Sequence, residues 1–575
     1  MSMPAGSAAR SAAAPSVGSA ASFVDAHRDM LRQALSAISE RGYWSAFPES
    51  PSPRVYGEGA AEAGRAAYEA HLGKRFELDQ AGTVGWVGAE RSPYGPPLGV
   101  SYPQADLDAL LASARTGLPA WRDAGPEVRA AVCAEIVSRV NARSFEIANA
   151  VMHTTGQAFV MAFQAGGPHA QDRALEAVAY AYAEQTRVPA TARWEKPQGK
   201  RPPLLMEKTY TAVPRGIGLV IGCVTFPTWN SYPGLFASLA TGNAVVVKPH
   251  PQATLPLAIT VSVAREVLAE AGFARDLVTL VAEEPGGRVA ADLAVRPEVR
   301  IVDFTGSTAF GQWLEDNARQ AEVYTEKAGV NAVVIDSTDD YAGMLANLAF
   351  SLCLYSGQMC TTPQDLLVPA DGIATDAGRK SVEELGADLG AAIDRLLGED
   401  AQAVELLGAI VTDDVLSRVD NAAALGTVVV PSRAVTHPAF PAARVRTPAV
   451  VRVSADQPEA WGSECFGPVA FLVSTESTDF GLELFRRTVT ARGALTASVY
   501  STDEKVVAAA REAALDAGVA LSENLTGGVY VNQSAAYSDF HATGANPAAN
   551  AAYTDAHFVA GRFRVVQSRR HLSAG

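Results

Sequence analysis

Between Gly218 and Phe304, four short apolar runs alternate with stretches of helix length: Gly218–Cys223, Ala244–Val247, Leu277–Val281 and Val299–Phe304. This alternation constrains the fold of the 575-residue chain more than any other feature. Strands of that length with no polar face must be covered on both sides, which specifies a parallel sheet wound with helices. Gly242 and Gly272 are placed to close the intervening helices, and Thr254 to open one. Such a sheet takes ligands at the carboxyl ends of its strands. The expected class is α/β, without internal repeats.

A second alternating region follows. Ala332–Ile335, Asp365–Val368, Ala449–Val453, Val469–Leu472, Thr496–Tyr500 and Gly528–Asn532 read as strands. Tyr341–Ser356 reads as a helix whose Leu345, Leu348, Leu352 and Tyr355 form one apolar stripe. Upstream, Leu107–Thr116, Pro126–Thr154 and Ala170–Glu184 read as alanine-rich helices, followed by a Pro/Lys/Arg-rich connector at Lys196–Pro203. Residues 1–22, nearly all Ala, Ser, Gly, Pro and Val, read as a disordered tail rather than a secretory signal. Residues 23–104 form a helical extension, with Tyr43–Pro53 too rich in Pro and Ser for helix or strand. Phe563–Ser568 alternates like an edge strand.

Composition narrows the function classes. Lys and Arg number 47 against 62 Asp and Glu, a net charge of −15 that argues against a nucleic-acid or acidic-membrane surface. No apolar stretch approaches the roughly 20 residues of a membrane span. Five scattered cysteines, with no Cys-x-x-Cys pair, exclude a disulfide framework and a zinc ribbon. No metal is expected, and the expected location is cytoplasmic.

Four positions can carry chemistry. Cys360, in Gly357-Gln-Met-Cys360, follows a helix end in an accessible loop and is a candidate nucleophile. An isolated cysteine is more often a buried structural thiol, which suits Cys133 and Cys353 in their apolar helices; Cys223 and Cys465 are open to either reading. Glu326 sits among apolar residues and is a candidate general base, or a solvated carboxylate beside Lys327. Gly306, Ser307 and Gly311 form a turn that opens a helix after a strand, suited to a phosphate. Lys248 ends a strand where a dinucleotide's ribose or phosphate would lie.

In order and spacing, Thr225-Phe226-Pro227, Lys248, Gly306–Gly311, Glu326, Cys360 and Glu464-Cys-Phe466-Gly467-Pro468 resemble the aldehyde dehydrogenase superfamily over about residues 105–570. Cys223–Pro251, Tyr324–Asp336 and the extension with YWSAFPESPSP resemble its phenylacetate-degradation branch, the PaaN-type dehydrogenases without a fused hydratase domain. The resemblance implies a Rossmann-type cofactor domain (105–195 and 214–325), an α/β catalytic domain (326–535) and a small β oligomerisation element (196–213 and 558–570). It implies Cys360 as nucleophile, forming a thiohemiacetal and then a thioester, and Glu326 as the base for the deacylating water. Lys248 and Ser307 would hold the adenosine ribose and pyrophosphate; Glu464 and Phe466 would hold the nicotinamide ribose and ring. The implied reaction is NAD(P)-dependent oxidation of a semialdehyde, an aromatic-derived CoA thioester, by a homodimer or homotetramer. The alternatives are a CoA-acylating dehydrogenase and a weakened binding or scaffold protein.

Two departures matter. The family's oxyanion-stabilising Asn is Thr225 here, with Asn230 as the other candidate donor; losing such a donor costs about 2.7–4 kcal/mol of barrier. The carboxylate that NAD-preferring members place three residues after the lysine is Pro251 here. Without it a 2′-phosphate meets Lys248 unopposed, which favours NADP over NAD.

Overall fold

The computed structural model describes residues 19–572. Two open sheets organise it. The first has five parallel strands in the order Val278–Leu280, Ala244–Lys248, Ile217–Ile221, Val299–Thr305, Glu322–Glu326. Its order reverses direction between Ile217–Ile221 and Val299–Thr305, the switch point at which adjacent connections part and leave a crevice. Every residue of Ile217–Ile221 and Ala244–Lys248 is buried, as runs without a polar face require. The second sheet has seven strands, Thr427–Val430, Ala449–Ser454, Val469–Thr475, Asp365–Pro369, Ala332–Ile335, Thr496–Tyr500 and Ala520–Glu523, parallel except the first. The expected α/β class is the observed one. No helix among the described residues is long and apolar enough to cross a membrane.

Several local readings are corrected. Lys196–Pro203 is not a connector: Thr191–Gln198 and Arg201–Pro214 form a hairpin turning at Gly199 (φ +66°). Pro202 and Pro203 fall where the register against Thr191–Gln198 shifts, between Lys196 and Gln198, and such a bulge tolerates a missing ladder N–H. That C-terminal strand pairs with Arg201–Pro214 of its own chain, from Phe563 opposite Pro214 to Leu572 opposite Leu205. Gly528–Asn532 is irregular, and Ala520–Glu523 takes the sheet edge. Side chains, not a ladder, engage its backbone: Asn347 donates to the Val529 carbonyl at 2.6 Å and Thr361 to that of Asn532 at 3.1 Å. Pro126–Thr154 is two helices, Gly125–Ala142 and Ser144–Thr155, broken at Arg143. Most of the expected tail, residues 1–18, lies outside the described residues; Ser19 caps a helix, Ala20–Glu40, so residues 19–22 are not tail.

The 23–104 segment adds a pair of strands, Thr83–Val87 and Tyr102–Ala105, to its helices. It is tied to the first sheet by Glu90, which is buried and accepts from the backbone N–H groups of Thr254 and Leu255 at 2.5 and 2.9 Å. Those are orphan donors at the start of the helix Leu255–Glu270, where Thr254 itself supplies no side-chain cap. The Tyr102 hydroxyl donates to the other carboxylate oxygen. Burial pushes the Glu90 carboxyl up to about 7 from 4.5, against those hydrogen bonds. Between the two values the native state holds a proton that the unfolded chain releases, so this group's contribution falls as pH rises through that window. Glu90→Ala therefore costs about 2–3 kcal/mol, more at pH 5 than at pH 8. Urea unfolding at the two pH values measures it.

Candidate active site

The carboxyl ends of the first sheet face a cleft of about 1110 Å³. Lys248 and Glu326 end their strands; Cys223 and Gly306 follow the ends of two others. Cys360 reaches the same cleft from the second body of secondary structure. The helix Tyr341–Cys353 runs into a tight turn, Leu354–Gly357, in which Tyr355 and Ser356 adopt positive φ (53° and 50°). Gly357 (φ +63°) has no room for a side chain: a Cβ would lie 2.5 Å from the Gly467 carbonyl oxygen. That approach brings the Cys360 loop against the Glu464–Pro468 segment. Thr225, Lys248, Gly306, Ser307, Glu326, Cys360, Glu464 and Phe466 all line the cleft. Gly311 does not. It sits one turn into the helix Thr308–Asn317, where a Cβ would strike the Lys327 side chain at 2.6 Å.

Glu326 is buried (1% exposed), with one oxygen hydrogen-bonded and the other near an imidazole. Asn230 donates to Oε2 at 3.0 Å, and His541 Nε2 lies 3.2 Å from Oε1. Burial opposes its charge, but the His541 interaction and the surrounding donors outweigh burial and hold the carboxyl below its usual range. The Cys360 Sγ lies 3.8 Å from the same His541 nitrogen. Burial first, then the Glu326 charge, push the thiol well above its usual value. A thiol in this setting rests protonated, so a neighbouring base must take its proton before the sulfur can attack.

Asn230 gives one of its two amide N–H groups to Glu326, so Thr225, the Cys360 backbone N–H and the second Asn230 N–H are the donors to consider for an oxyanion. Thr225 is buried at the cleft wall, its carbonyl bonded by Gln157 at 2.7 Å. Burial raises the Glu464 carboxyl to about 7, opposed by the Gly329 N–H and Arg418. Arg418 also donates to the Phe466 carbonyl at 2.9 Å, fixing that loop.

Two residues were not singled out from the sequence. Glu283 follows the strand Val278–Leu280, which lies beside Ala244–Lys248 with Val247 opposite Leu280. This register brings Glu283 into a buried ion pair with Lys248. The leaning toward NADP rested on a lysine without a nearby carboxylate, and that premise is corrected: the neighbouring strand supplies what Pro251 lacks. Adjacent strand ends were the signal. His541 carried none, lying in an irregular loop 181 residues beyond Cys360.

For a dinucleotide the fit is good. Ser307 caps a ten-residue helix, accepting from the Phe310 N–H at 3.4 Å, and that helix start opens on the cleft. A Cβ at Gly306 would lie 2.7 Å from the Phe304 ring, so the turn stays bare beside the Lys248–Glu283 pair.

A family model for the aldehyde dehydrogenase family matches residues 101–544. The chain belongs to that family. A crystal structure titled NAD-dependent aldehyde dehydrogenase from Burkholderia multivorans is 59% identical, with a TM-score of 0.95 over 96% of this chain and 99% of that one. Thermus 1-pyrroline-5-carboxylate dehydrogenase with bound NAD shares the fold, with a TM-score of 0.69 at 18% identity over 92% of this chain and 99% of that one. N-succinylglutamate 5-semialdehyde dehydrogenase of Chromobacterium violaceum is 28% identical over 56% of this chain and 63% of its own length. Against aldehyde dehydrogenase LUC3 of a Fusarium species the chain is 26% identical over 48% of its own length and 54% of the relative's, so it spans little more than half of such curated relatives.

Proposed function

We propose that the protein oxidises an aldehyde to the carboxylic acid with a nicotinamide dinucleotide, using Cys360 as nucleophile and Glu326 as base. The observation that carries this reading is the convergence of Cys360 and Glu326 on one cleft with the Lys248–Glu283 pair and the Ser307 helix start. Glu326 takes the Cys360 thiol proton and passes it to solvent, Sγ attacks the carbonyl carbon, and the Thr225 hydroxyl and the Cys360 N–H stabilise the oxygen that becomes negative. When bound, the nicotinamide supplies the hydride acceptor. Glu326 then takes a proton from the water that releases the thioester, while Asn230 keeps the carboxylate oriented. That a carboxylate is retained beside Cys360 favours hydrolysis over transfer to coenzyme A, which would need no such base.

Glu464 and Phe466 are the proposed holders of the nicotinamide ribose and ring. For the adenosine end, Glu283 can accept from a ribose 2′-hydroxyl and repel a 2′-phosphate. Together with the 59% identity to a protein titled NAD-dependent, this favours NAD. Glu283→Gln lowers the NAD-to-NADP ratio of kcat/KM by about 10- to 100-fold, read from initial rates with each cofactor.

For substrate, the proposal is a ring-opened semialdehyde of phenylacetate degradation carried as a CoA thioester, in a homo-oligomer. The sequence likeness of Cys223–Pro251 and Tyr324–Asp336 supports it. The purified protein should reduce NAD with such a semialdehyde and with simpler aldehydes alike. Failure to turn over any aldehyde with either cofactor overturns the dehydrogenase reading; turnover of the simple ones alone overturns the substrate.

A further inference from the structure

His541 has no part in the reaction as proposed, yet it is the best-placed group in the site. Its ring is buried (4% exposed), edge-on to Trp229 at 4.6 Å, and its backbone exchanges two hydrogen bonds with Tyr553 at 2.9 and 2.8 Å. Three segments distant in sequence thus present a carboxylate oxygen, a sulfur and an imidazole nitrogen to one point. These ligand atoms of Glu326, Cys360 and His541 all lie within 4.8 Å of one another. Two separations are resolved, 3.2 Å from nitrogen to oxygen and 3.8 Å from nitrogen to sulfur. A tetrahedral zinc with bonds of about 2.0–2.3 Å holds such ligand pairs about 3.3 and 3.6 Å apart.

A second observation points the same way. Glu326 Oε1 is buried and, despite the nearby imidazole, accepts no hydrogen bond of acceptable geometry. A buried carboxylate oxygen without a donor is costly, and a cation at the shared point would satisfy it. The other oxygen is already fixed by Asn230, the kind of outer support that aims a metal ligand.

We propose that Glu326, Cys360 and His541 form a site for a thiophilic divalent cation of the zinc class. Coordination displaces the Cys360 proton to solvent and places the thiolate, carboxylate and neutral imidazole on the metal, two negative charges against two positive ones. The occupied site withholds both the sulfur and Oε1, so metal and aldehyde exclude each other. That block on turnover rests on the reading of Cys360 as nucleophile; the site itself rests only on the geometry.

The test uses the full-length protein, stripped with chelator, and Co²⁺ alone as the probe, without aldehyde or nicotinamide. The expected result is one bound cobalt per chain with a thiolate-to-cobalt charge-transfer band. The band is absent in Cys360→Ala. In His541→Ala the affinity falls more than about 100-fold, beyond the loss seen for supporting residues alone. Zinc at one equivalent should slow alkylation of Cys360 by iodoacetamide in the wild type but not in His541→Ala. If that variant fails to fold by circular dichroism, His541→Asn takes its place. No band in the wild type, or one that survives loss of the imidazole at unchanged affinity, overturns the proposal. Because the band is read without turnover, it stands or falls separately from the dehydrogenase activity.

Discussion

Cys360→Ser lowers aldehyde-dependent reduction of the cofactor by at least about 10⁴-fold, roughly 5.4 kcal/mol of barrier. The size follows from the surroundings of the sulfur. Burial and the Glu326 carboxylate already hold a thiol protonated there, and they oppose ionisation of a hydroxyl at least as strongly. Nothing else that lines the cleft is placed to replace it: burial pushes the Cys223 thiol up to about 11, and its sulfur faces Asn230 at 3.5 Å. The substitution changes one half-buried atom, so thermal unfolding and cofactor binding should stay near those of the wild type. A variant that keeps even a hundredth of the rate would show that the covalent route through Cys360 is wrong.

The second large effect is on stability. Arg562 is fully buried, and its guanidinium makes two parallel bonds to Asp303 at 2.8 and 2.6 Å. It also donates to the Phe558 carbonyl at 2.9 Å and Ser238 Oγ at 2.8 Å, and lies over the Tyr324 and Phe558 rings at 4.4 and 4.1 Å. Asp303 belongs to the strand Val299–Thr305, beside the middle strand of the first sheet, and Arg562 directly precedes the C-terminal strand, so this cluster joins the strand Phe563–Leu572 to that sheet. Arg562→Met leaves the Asp303 carboxylate buried without its counterion, at a cost of about 3–5 kcal/mol. Replacing both partners with apolar residues should recover much of that loss. Urea midpoints for the single and double variants measure both. A single-variant loss below about 1 kcal/mol would mean that water reaches Asp303.

These two residues also mark what a sequence reader can and cannot see. Cys360 was legible because a glycine turn after an apolar helix stripe puts a thiol in a loop, and because Glu326 precedes it at the family's spacing. Lys248 was legible as the end of a buried strand, and Ser307 as part of a glycine turn that opens a helix after one. Arg562 was not, since an arginine beside an alternating C-terminal run looks solvated until the fold folds Asp303 over it. Glu283 and His541 were missed for related reasons. A strand end gains meaning only from its neighbour, and an irregular loop has no period to read. The hairpin across Lys196–Pro203 was hidden by its prolines, which mark a break unless the register shift that accommodates them is known.

The front segment reaches further than its place outside the family match suggests. Arg41 stacks over the Phe540 ring at 3.8 Å, one residue from His541, and Trp44 packs edge-on to Tyr537 at 4.9 Å. A protease cut between residues 41 and 53 would therefore register at the sulfur, as a changed rate of Cys360 modification, before any of the chain's secondary structure was lost. An engineer trimming this protein to the family's common core would be loosening its active centre from behind.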